Sequence, residues 1–161
     1  ASEMNHQIIR YAQVLLWKAE ALVELGDAAS LEEARETINI IRRRAKNSPY
    51  VRNFENPALP AANYKIEEYP STGWTQEYAR EAVRFETRLE MAMEGDRFFD
   101  LVRWGIAEKT MNAFIDKEQD NRVYYRGAHF TSGKDEYLPI PLPQYNFSEG
   151  NYVQNPGYGA F

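Results

Sequence analysis

The chain has 161 residues, of which 43% are hydrophobic and 14% aromatic, enough for one domain with a buried core. Its net charge of −5 disfavours a nucleic-acid partner, and no apolar run approaches the ~20 residues that a membrane-spanning helix needs. Because these residues include no cysteine, they cannot form disulfides, thiolate metal sites or a cysteine nucleophile.

An antiparallel pair of helices is predicted at the start of the chain. Residues 5–25 form the first helix, which Gly26 ends, because glycine readily takes the left-handed conformation that follows a helix. Its predicted buried face comprises Ile8, Tyr11 or Ala12, Leu15, Ala19 and Leu22. The second helix spans residues 30–46 and begins with a capping box formed by Ser30 and Glu33. The short connection makes the pair antiparallel, with the size of one tetratricopeptide-like unit.

Two further helices are predicted after a long loop over residues 47–73. The third helix spans residues 75–94, and its predicted buried stripe comprises Tyr78, Ala82, Phe85, Leu89 and Ala92. Gly95 interrupts the pattern, and Asp96 is positioned to cap a fourth helix over residues 97–118. These segments predict a mostly α-helical fold with long irregular loops.

The C-terminal segment is predicted to contain little regular structure. Residues 122–125 and 137–140 have an extended pattern with glycine-containing turns between them, which predicts a small hairpin. The tail over residues 138–161 is rich in proline and glycine and is predicted to wrap over the helices irregularly. We expect all of these segments to form a single domain over residues 1–161.

Three carboxylates share one stripe of the third helix, at Glu86, Glu90 and Glu94. One interpretation is a metal site or an acid–base pair. A carboxylate metal centre in a helix bundle needs Glu-x-x-His partners, which are absent, and a glycosidase pair flanks its substrate across a cleft. Ion pairing is the favoured interpretation, because like charges on successive turns repel and need cationic partners. The candidate partners are Arg88, Arg97 and Arg103, together with Arg42, Arg43 and Arg44 on the second helix. We therefore predict no catalytic residue, metal or cofactor.

Aromatic residues are candidate ligand contacts, because aromatic faces stack on the C–H faces of sugar rings. Trp17 and Trp104 lie inside helices and are predicted to pack in the core. Trp74 follows the long loop and, unlike the other two tryptophans, is predicted to face the solvent. Trp74 and the nearby Tyr69 are therefore candidate ligand-binding residues. The alternative for Trp74 is a hydrophobic staple onto the helix that follows it.

Three blocks of the sequence resemble the C-terminal part of the SusD/RagB family of outer-membrane nutrient-binding lipoproteins. Residues 10–22, with Arg-x-Ala and Ala-Glu-Ala elements, are similar to a family helix, and residues 39–44 are similar to its N-x-I-R-x-R pattern. Residues 86–105 resemble E-R-x-x-E-L-x-x-E-G-x-R-x-x-D-L-x-R-W-G, except that Thr87 replaces the usual arginine. The family's ending is similar to Tyr137-Leu-Pro-Ile-Pro and Gln154-Asn-Pro-Gly-Tyr.

This resemblance implies a tetratricopeptide-like helical fold and a cell-surface protein that binds glycans or peptides without catalysis. It implies a SusC-like TonB-dependent transporter as partner, and an outer-membrane lipid anchor on an N-terminal cysteine absent from this chain. The chain would then be the C-terminal portion of a longer protein. The missing N-terminal region of that protein would be a further partner and would hold much of the glycan contact.

The resemblance also implies a structural role for the charged residues around Gly95. They are expected to form an ion-pair motif that locks the third and fourth helices together, comprising Glu86, Arg88, Glu90, Glu94, Arg97, Asp100 and Arg103. The alternative function is a free-standing tetratricopeptide-type scaffold that binds a partner protein, which predicts a concave groove on the first helix pair. An enzyme is a third alternative and depends only on the glutamate stripe.

Overall fold

A computed structural model of the chain describes residues 8–159 and is predominantly helical. The helices are α1 (Tyr11–Leu25), α2 (Ala28–Lys46), α3 (Gln76–Glu90), α4 (Arg97–Arg103), α5 (Ala107–Glu118) and α6 (Leu142–Phe147), with a 3₁₀ turn over Val123–Tyr125. The described residues contain no strand, only an isolated bridge between Arg52 and Pro60. The mostly α-helical prediction is confirmed. Residues 5–7 of the predicted first helix lie outside the described part of the chain.

The chain divides into two compact units, one ending at Glu94 and the other beginning at Gly95. The first unit contains α1, α2 and α3, which share one core of small and branched residues. That core comprises Ala19, Val23, Ala34, Ile38, Ala79 and Val83. Because three of the six side chains are alanine methyl groups, the three helix backbones can approach one another closely.

The turn between α1 and α2 is shorter than predicted, because α2 begins at Ala28 and not at residue 30. Gly26 has φ +76° and ends α1, as predicted. Asp27, rather than Ser30, is the N-cap of α2, and its carboxylate accepts hydrogen bonds from Ala29 N at 3.1 Å and Ser30 N at 3.0 Å. Aspartate caps helices as well as serine does, so α2 begins directly after the glycine and the predicted capping box is wrong.

The buried face of α3 differs from the predicted stripe. Ala82 is buried as predicted, but Tyr78, Phe85, Leu89 and Ala92 are exposed. The other residues that α3 buries are Ala79, Val83, Glu86 and Thr87. The cause lies in the two polar residues. Arg42 of α2 pairs with Glu86, and Thr87 Oγ1 donates to Val83 O at 2.8 Å. Both polar side chains are therefore satisfied in the interior, which lets this side of α3 face the core.

α1 is buried through Leu16, Ala19 and Val23, which only partly matches the predicted face. Ala19 is buried as expected, and Leu15 and Leu22 pack partly buried against the core. Of the two alternatives, Tyr11 is exposed and Ala12 is partly buried. Trp17 is also exposed, so its predicted place in the core is wrong. Periodicity could not select the buried side, because apolar residues occupy most of the circumference of α1.

The second unit replaces the predicted fourth helix with two helices. α4 ends before Gly105, whose φ of +66° breaks the helical backbone, and α5 begins at Ala107. The core of this unit comprises Leu101, Ala107 and Phe130, with Phe98, Val102, Ile106 and Met111 packed against it. The Asn112 side chain holds the Phe130 backbone through two hydrogen bonds of 2.8 and 2.9 Å.

The predicted hairpin is wrong. Val123–Tyr125 forms a 3₁₀ turn, and residues 137–140 pair with no strand in the described chain. The Gln154 side chain takes the place of a strand partner: Ile140 N donates to its Oε1 at 2.7 Å, and its Nε2 donates to Ile140 O at 3.0 Å. One amide side chain therefore satisfies the backbone groups that a ladder would have paired. The tail, predicted to be irregular, contains α6.

None of the helices that the structure describes has both the length and the apolar character that crossing a bilayer requires.

Candidate functional site

A network of arginine and glutamate side chains joins α1, α2 and α3 at one end of the first unit. Arg10, at the N-cap position of α1, places Nη1 2.7 Å from Glu90 Oε1 and Nη2 2.7 Å from Glu94 Oε1. Its Nη2 also donates to the backbone oxygen of Glu90. Arg10 therefore holds both of the last two glutamates of the predicted stripe.

The second helix supplies the other cations of this network. Arg42 Nη1 lies 2.6 Å from Glu86 Oε2, and Arg44 Nη2 lies 2.6 Å from Glu90 Oε2. The side chains of Glu86 and Glu90 are only 6% and 9% exposed, so both carboxylates are largely shielded from water. A carboxylate in that position needs a bound cation, and guanidinium forks provide it.

The environment of Glu86 opposes its charge. Burial raises the pKa of Glu86 above its ordinary value, and the hydrogen bond from Arg42 lowers it again without cancelling the burial. The pKa of Arg10 is raised, chiefly because its side chain donates hydrogen bonds to Glu94. The charge pair at Glu86 therefore fixes the geometry between α2 and α3 at a cost in desolvation.

Arg88 and the second-unit residues complete the predicted ion-pair motif. Arg88 is exposed on α3 and forms no ion pair with any of residues 8–159. In the second unit, Arg103 Nε lies 2.9 Å from Asp100 Oδ1, and the guanidinium groups of Arg97 and Arg103 lie over the ring of Trp104. Trp104 is half-buried beneath these cations.

The glutamate stripe does not form a metal site within residues 8–159, where no group of three histidine, aspartate or glutamate side chains could hold an ion. Glu86 Oε2 and both carboxylate oxygens of Glu90 are bound to guanidinium groups. The arrangement can fix three helices relative to one another.

A cluster of three aromatic rings lies at the other predicted site. The ring of Tyr69 is 5.5 Å from that of Trp74, and Tyr78 meets both edge-on at 6.2 and 5.6 Å. Trp74 packs against the core of the first unit, and its Nε1 donates to Leu31 O at 2.8 Å. Trp74 is partly buried and less exposed than Trp17, so the prediction that it is the tryptophan that faces the solvent is wrong.

Tyr69 is held by polar contacts from α2. Asn39, which is fully buried, accepts from Tyr69 N at 2.8 Å and donates to Tyr69 O at 3.0 Å. Arg35 donates to the same carbonyl, and the guanidinium of Arg42 lies 4.7 Å from the centre of the Tyr69 ring. The end of the long loop is thereby fixed to α2, and burial raises the pKa of the Tyr69 hydroxyl.

A groove of about 520 Å³ lies between α1 and α2. Its apolar lining comprises Tyr11, Ala12, Leu15, Ile40 and Ile41. Arg10 and Arg44 complete the wall, and both bind Glu90. The groove therefore presents apolar surface beside cations whose charge is already compensated.

Comparison with known proteins identifies the family. The model of the SusD family (SusD_RagB) matches residues 1–158. The chain belongs to the SusD family. Two SusD-like proteins of Formosa agariphila are similar to it: P2 is 28% identical over 98% of this chain, and P38 is 34% identical over 76%. A crystal structure of a SusD homolog from Bacteroides thetaiotaomicron matches 94% of the chain, with a TM-score of 0.70 and 34% identity.

The chain covers only part of these SusD-like relatives. It spans 26% of P2, 21% of P38 and 26% of the solved homolog, about a quarter of their length. The likeness to the solved structure confirms the expected tetratricopeptide-like helical fold.

Arg10 is the site residue that the sequence analysis missed as a partner of the glutamates. Arg10 is the first residue of the first block that resembles the SusD family, and this position was the one feature of the sequence that could have indicated its role. Arg10 lies 80 positions before Glu90 in the sequence, so the charge pattern around the glutamates does not indicate this pairing.

Proposed function

We propose that this chain is the C-terminal part of a cell-surface nutrient-binding protein of the SusD family. The protein takes up glycans or peptides together with a SusC-like TonB-dependent transporter, and an N-terminal lipidated cysteine outside this chain anchors it to the outer membrane. A single-domain organisation of residues 1–161 within that protein is part of the proposal. The observation that carries it is the family match along nearly the whole chain.

The geometry of the glutamate stripe supports binding rather than catalysis. A general acid or base needs a carboxyl group that reaches a substrate and exchanges a proton with it. Glu90 instead contacts the two guanidinium groups of Arg10 and Arg44. We infer that the glutamate–arginine network is a structural part of the nutrient-binding protein.

We propose a supporting role for the two candidate ligand residues. Trp74 and Tyr69 are each bound to backbone groups or side chains of α2, and these contacts favour the staple over direct ligand contact. The exposed ring of Tyr78 lies beside them on α3. The pair then shapes the surface around Tyr78, and most of the ligand site lies in the part of the protein outside this chain.

The proposed function is tested with the longer protein on a glycan and peptide array. We expect binding to at least one class of nutrient, with no chemical change in the bound compound when the eluate is analysed by mass spectrometry. Cleaved products in the eluate would support the enzyme alternative. Failure to bind any glycan or peptide would contradict the proposal.

The groove between α1 and α2 is the observation that favours the alternative, a tetratricopeptide-type scaffold for a partner protein. Two of its apolar side chains, Tyr11 and Ile40, are exposed, as that alternative predicts for a groove on the first helix pair. Co-purification of the longer protein with a partner other than a transporter, lost when Ile40 is replaced by glutamate, would support the scaffold.

A further inference from the structure

The end of the described chain lies along an earlier extended segment of the second unit. Gln154 Oε1 accepts a hydrogen bond from Ile140 N at 2.7 Å, and Gln154 Nε2 donates to Ile140 O at 3.0 Å. The next residue, Asn155, donates from Nδ2 to Leu138 O at 2.6 Å. We call residues 154–158 the strap, because its side chains bind the backbone of the segment beneath it.

The strap fits closely at Gly157. This glycine has φ +79°, and a Cβ there would lie 2.6 Å from Lys134 Cγ. The following residue, Tyr158, donates from Oη to Tyr137 O at 2.8 Å, and its ring centre lies 5.4 Å from Lys134 Nζ. The missing side chain of Gly157 therefore lets the strap lie against the Lys134 side chain, which fixes its position.

Side chains of the strap form all four of these hydrogen bonds. As the residue numbers rise from 154 to 158, those of the partners fall from 140 to 137, so the two segments run in opposite directions. None of the backbone–backbone hydrogen bonds within residues 8–159 joins them. The strap is therefore held without the cooperative ladder that joins neighbouring strands.

The core of the second unit, as far as the structure describes that unit, contains no strap residue. It comprises Leu101, Ala107 and Phe130, with partly buried residues from positions 98–111 packed against them. Within the strap, positions 156 and 157 are exposed and the other three are partly buried. Opening the strap therefore breaks polar contacts and leaves the core side chains in place, which is typical of segments that open locally.

We propose that the strap opens and closes over residues 137–140 while α4 and α5 stay folded. Gln154 controls this opening, because it satisfies both backbone groups of Ile140. In its closed state the strap occupies backbone groups that would otherwise be open to solvent or to another extended chain. This local motion is separate from the proposed nutrient binding.

Hydrogen–deuterium exchange of the longer protein, measured by mass spectrometry, tests this opening. Peptides that cover residues 134–141 report on the segment beneath the strap, and peptides from α5 report on the helices of the same unit. In the parent protein we expect the protection of the segment to be about tenfold lower than that of α5. Equal protection would overturn the proposal, because the strap would then open only when the whole unit unfolds.

Replacing Gln154 with alanine removes both hydrogen bonds to Ile140, and Gln144→Ala at an exposed position of α6 is the matched control. We expect the segment to exchange about tenfold faster in the Gln154→Ala protein and at the parent rate in the Gln144→Ala protein. The protection of α5 should be unchanged in both. Unchanged exchange of the segment in the Gln154→Ala protein would overturn the proposal, and so would a matching loss of protection in α5.

A second pair of variants preserves the test if Gln154→Ala perturbs folding. Gly157 and Gly150 have φ angles of +79° and +87°, so alanine is strained at both, but nothing lies within 4 Å of a Cβ at Gly150. We expect faster exchange of residues 134–141 in the Gly157→Ala protein than in the Gly150→Ala protein. Equal rates would contradict the proposal. Since no readout uses a nutrient, these results are independent of the array experiment.

Discussion

Arg10 Nη1 lies 2.7 Å from Glu90 Oε1, although 80 positions separate the two residues. Arg10 stands at the start of α1 and Glu90 at the end of α3, so each charge has the unfavourable sign for the dipole of its own helix. Each offsets the other, and Arg10 also binds the Glu90 carbonyl, which lies among the last carbonyls of α3. One guanidinium therefore stabilises two helix ends that would otherwise destabilise the fold.

Replacing Arg10 with lysine keeps the charge and removes the planar fork that reaches Glu90 and Glu94. We expect the free energy of unfolding to fall by about 1 kcal/mol, because an ammonium cannot form the same set of hydrogen bonds. Chemical denaturation of the Arg10→Lys, Glu94→Gln and double variants measures this coupling. Effects that add without a coupling energy would show that the two side chains act independently.

Replacing Trp74 with phenylalanine tests whether this residue is a staple. The ring remains beside Tyr69 and Tyr78, but the hydrogen bond from Nε1 to Leu31 O is lost. We expect a loss of about 1 to 2 kcal/mol in the free energy of unfolding, because the Leu31 carbonyl loses its side-chain partner. Nutrient affinity should stay unchanged; a weakened affinity at unchanged stability would instead assign Trp74 to the ligand site.

Alanine substitutions at Gly26 and Gly73 test the contact between Gln76 and the turn after α1, with Gly73 as the control. Their φ angles are +76° and +77°, so alanine is strained by a similar amount at both. A Cβ at Gly26 would lie 2.6 Å from Gln76 Nε2, which donates to Val23 O at 2.8 Å, whereas nothing lies within 4 Å at Gly73. We therefore expect Gly26→Ala to lower the melting temperature more than Gly73→Ala, and equal shifts would contradict the Gln76 contact.

The Asp27 cap makes stability depend on pH. The hydrogen bond from Ser30 Oγ, together with backbone donors, lowers the pKa of Asp27 in the folded protein. Its contribution is therefore present above the ordinary aspartate pKa of ~3.9 and is lost as pH falls through the lower folded value. We expect the melting temperature of the protein to exceed that of the Asp27→Asn variant at pH 7, and this difference to shrink below about pH 4. A difference that grows in acid would contradict this assignment.

Local signals predicted the first helix pair and its direction. Gly26 ended α1 as predicted, and α2 ends at Lys46, the residue at which the predicted second helix ends. Each of these rests on residues a few positions apart, where periodicity and turn chemistry decide the outcome.

The failed predictions depended on contacts between distant residues. The buried side of α1 was ambiguous because both sides are apolar, and the side of α3 was decided by the pairing of Glu86 with Arg42. Gln154 replaces a strand partner for Ile140, a substitution that no alternation pattern signals. The pairing of Arg10 was missed for the same reason, since its partners Glu90 and Glu94 are the last glutamates of the first unit in the sequence.

The most direct test of the whole account is the Glu90→Gln variant of the longer protein, compared with Arg88→Gln as a control at an exposed, unpaired position. Denaturation and calorimetric titration with the nutrient found on the array are measured together. We expect Glu90→Gln to lower the free energy of unfolding by about 2 kcal/mol, between the values for exposed and buried ion pairs, with Kd unchanged. Unchanged stability with lost binding, or lost turnover of the nutrient, would contradict the claim that these glutamates hold the helices together and do nothing else.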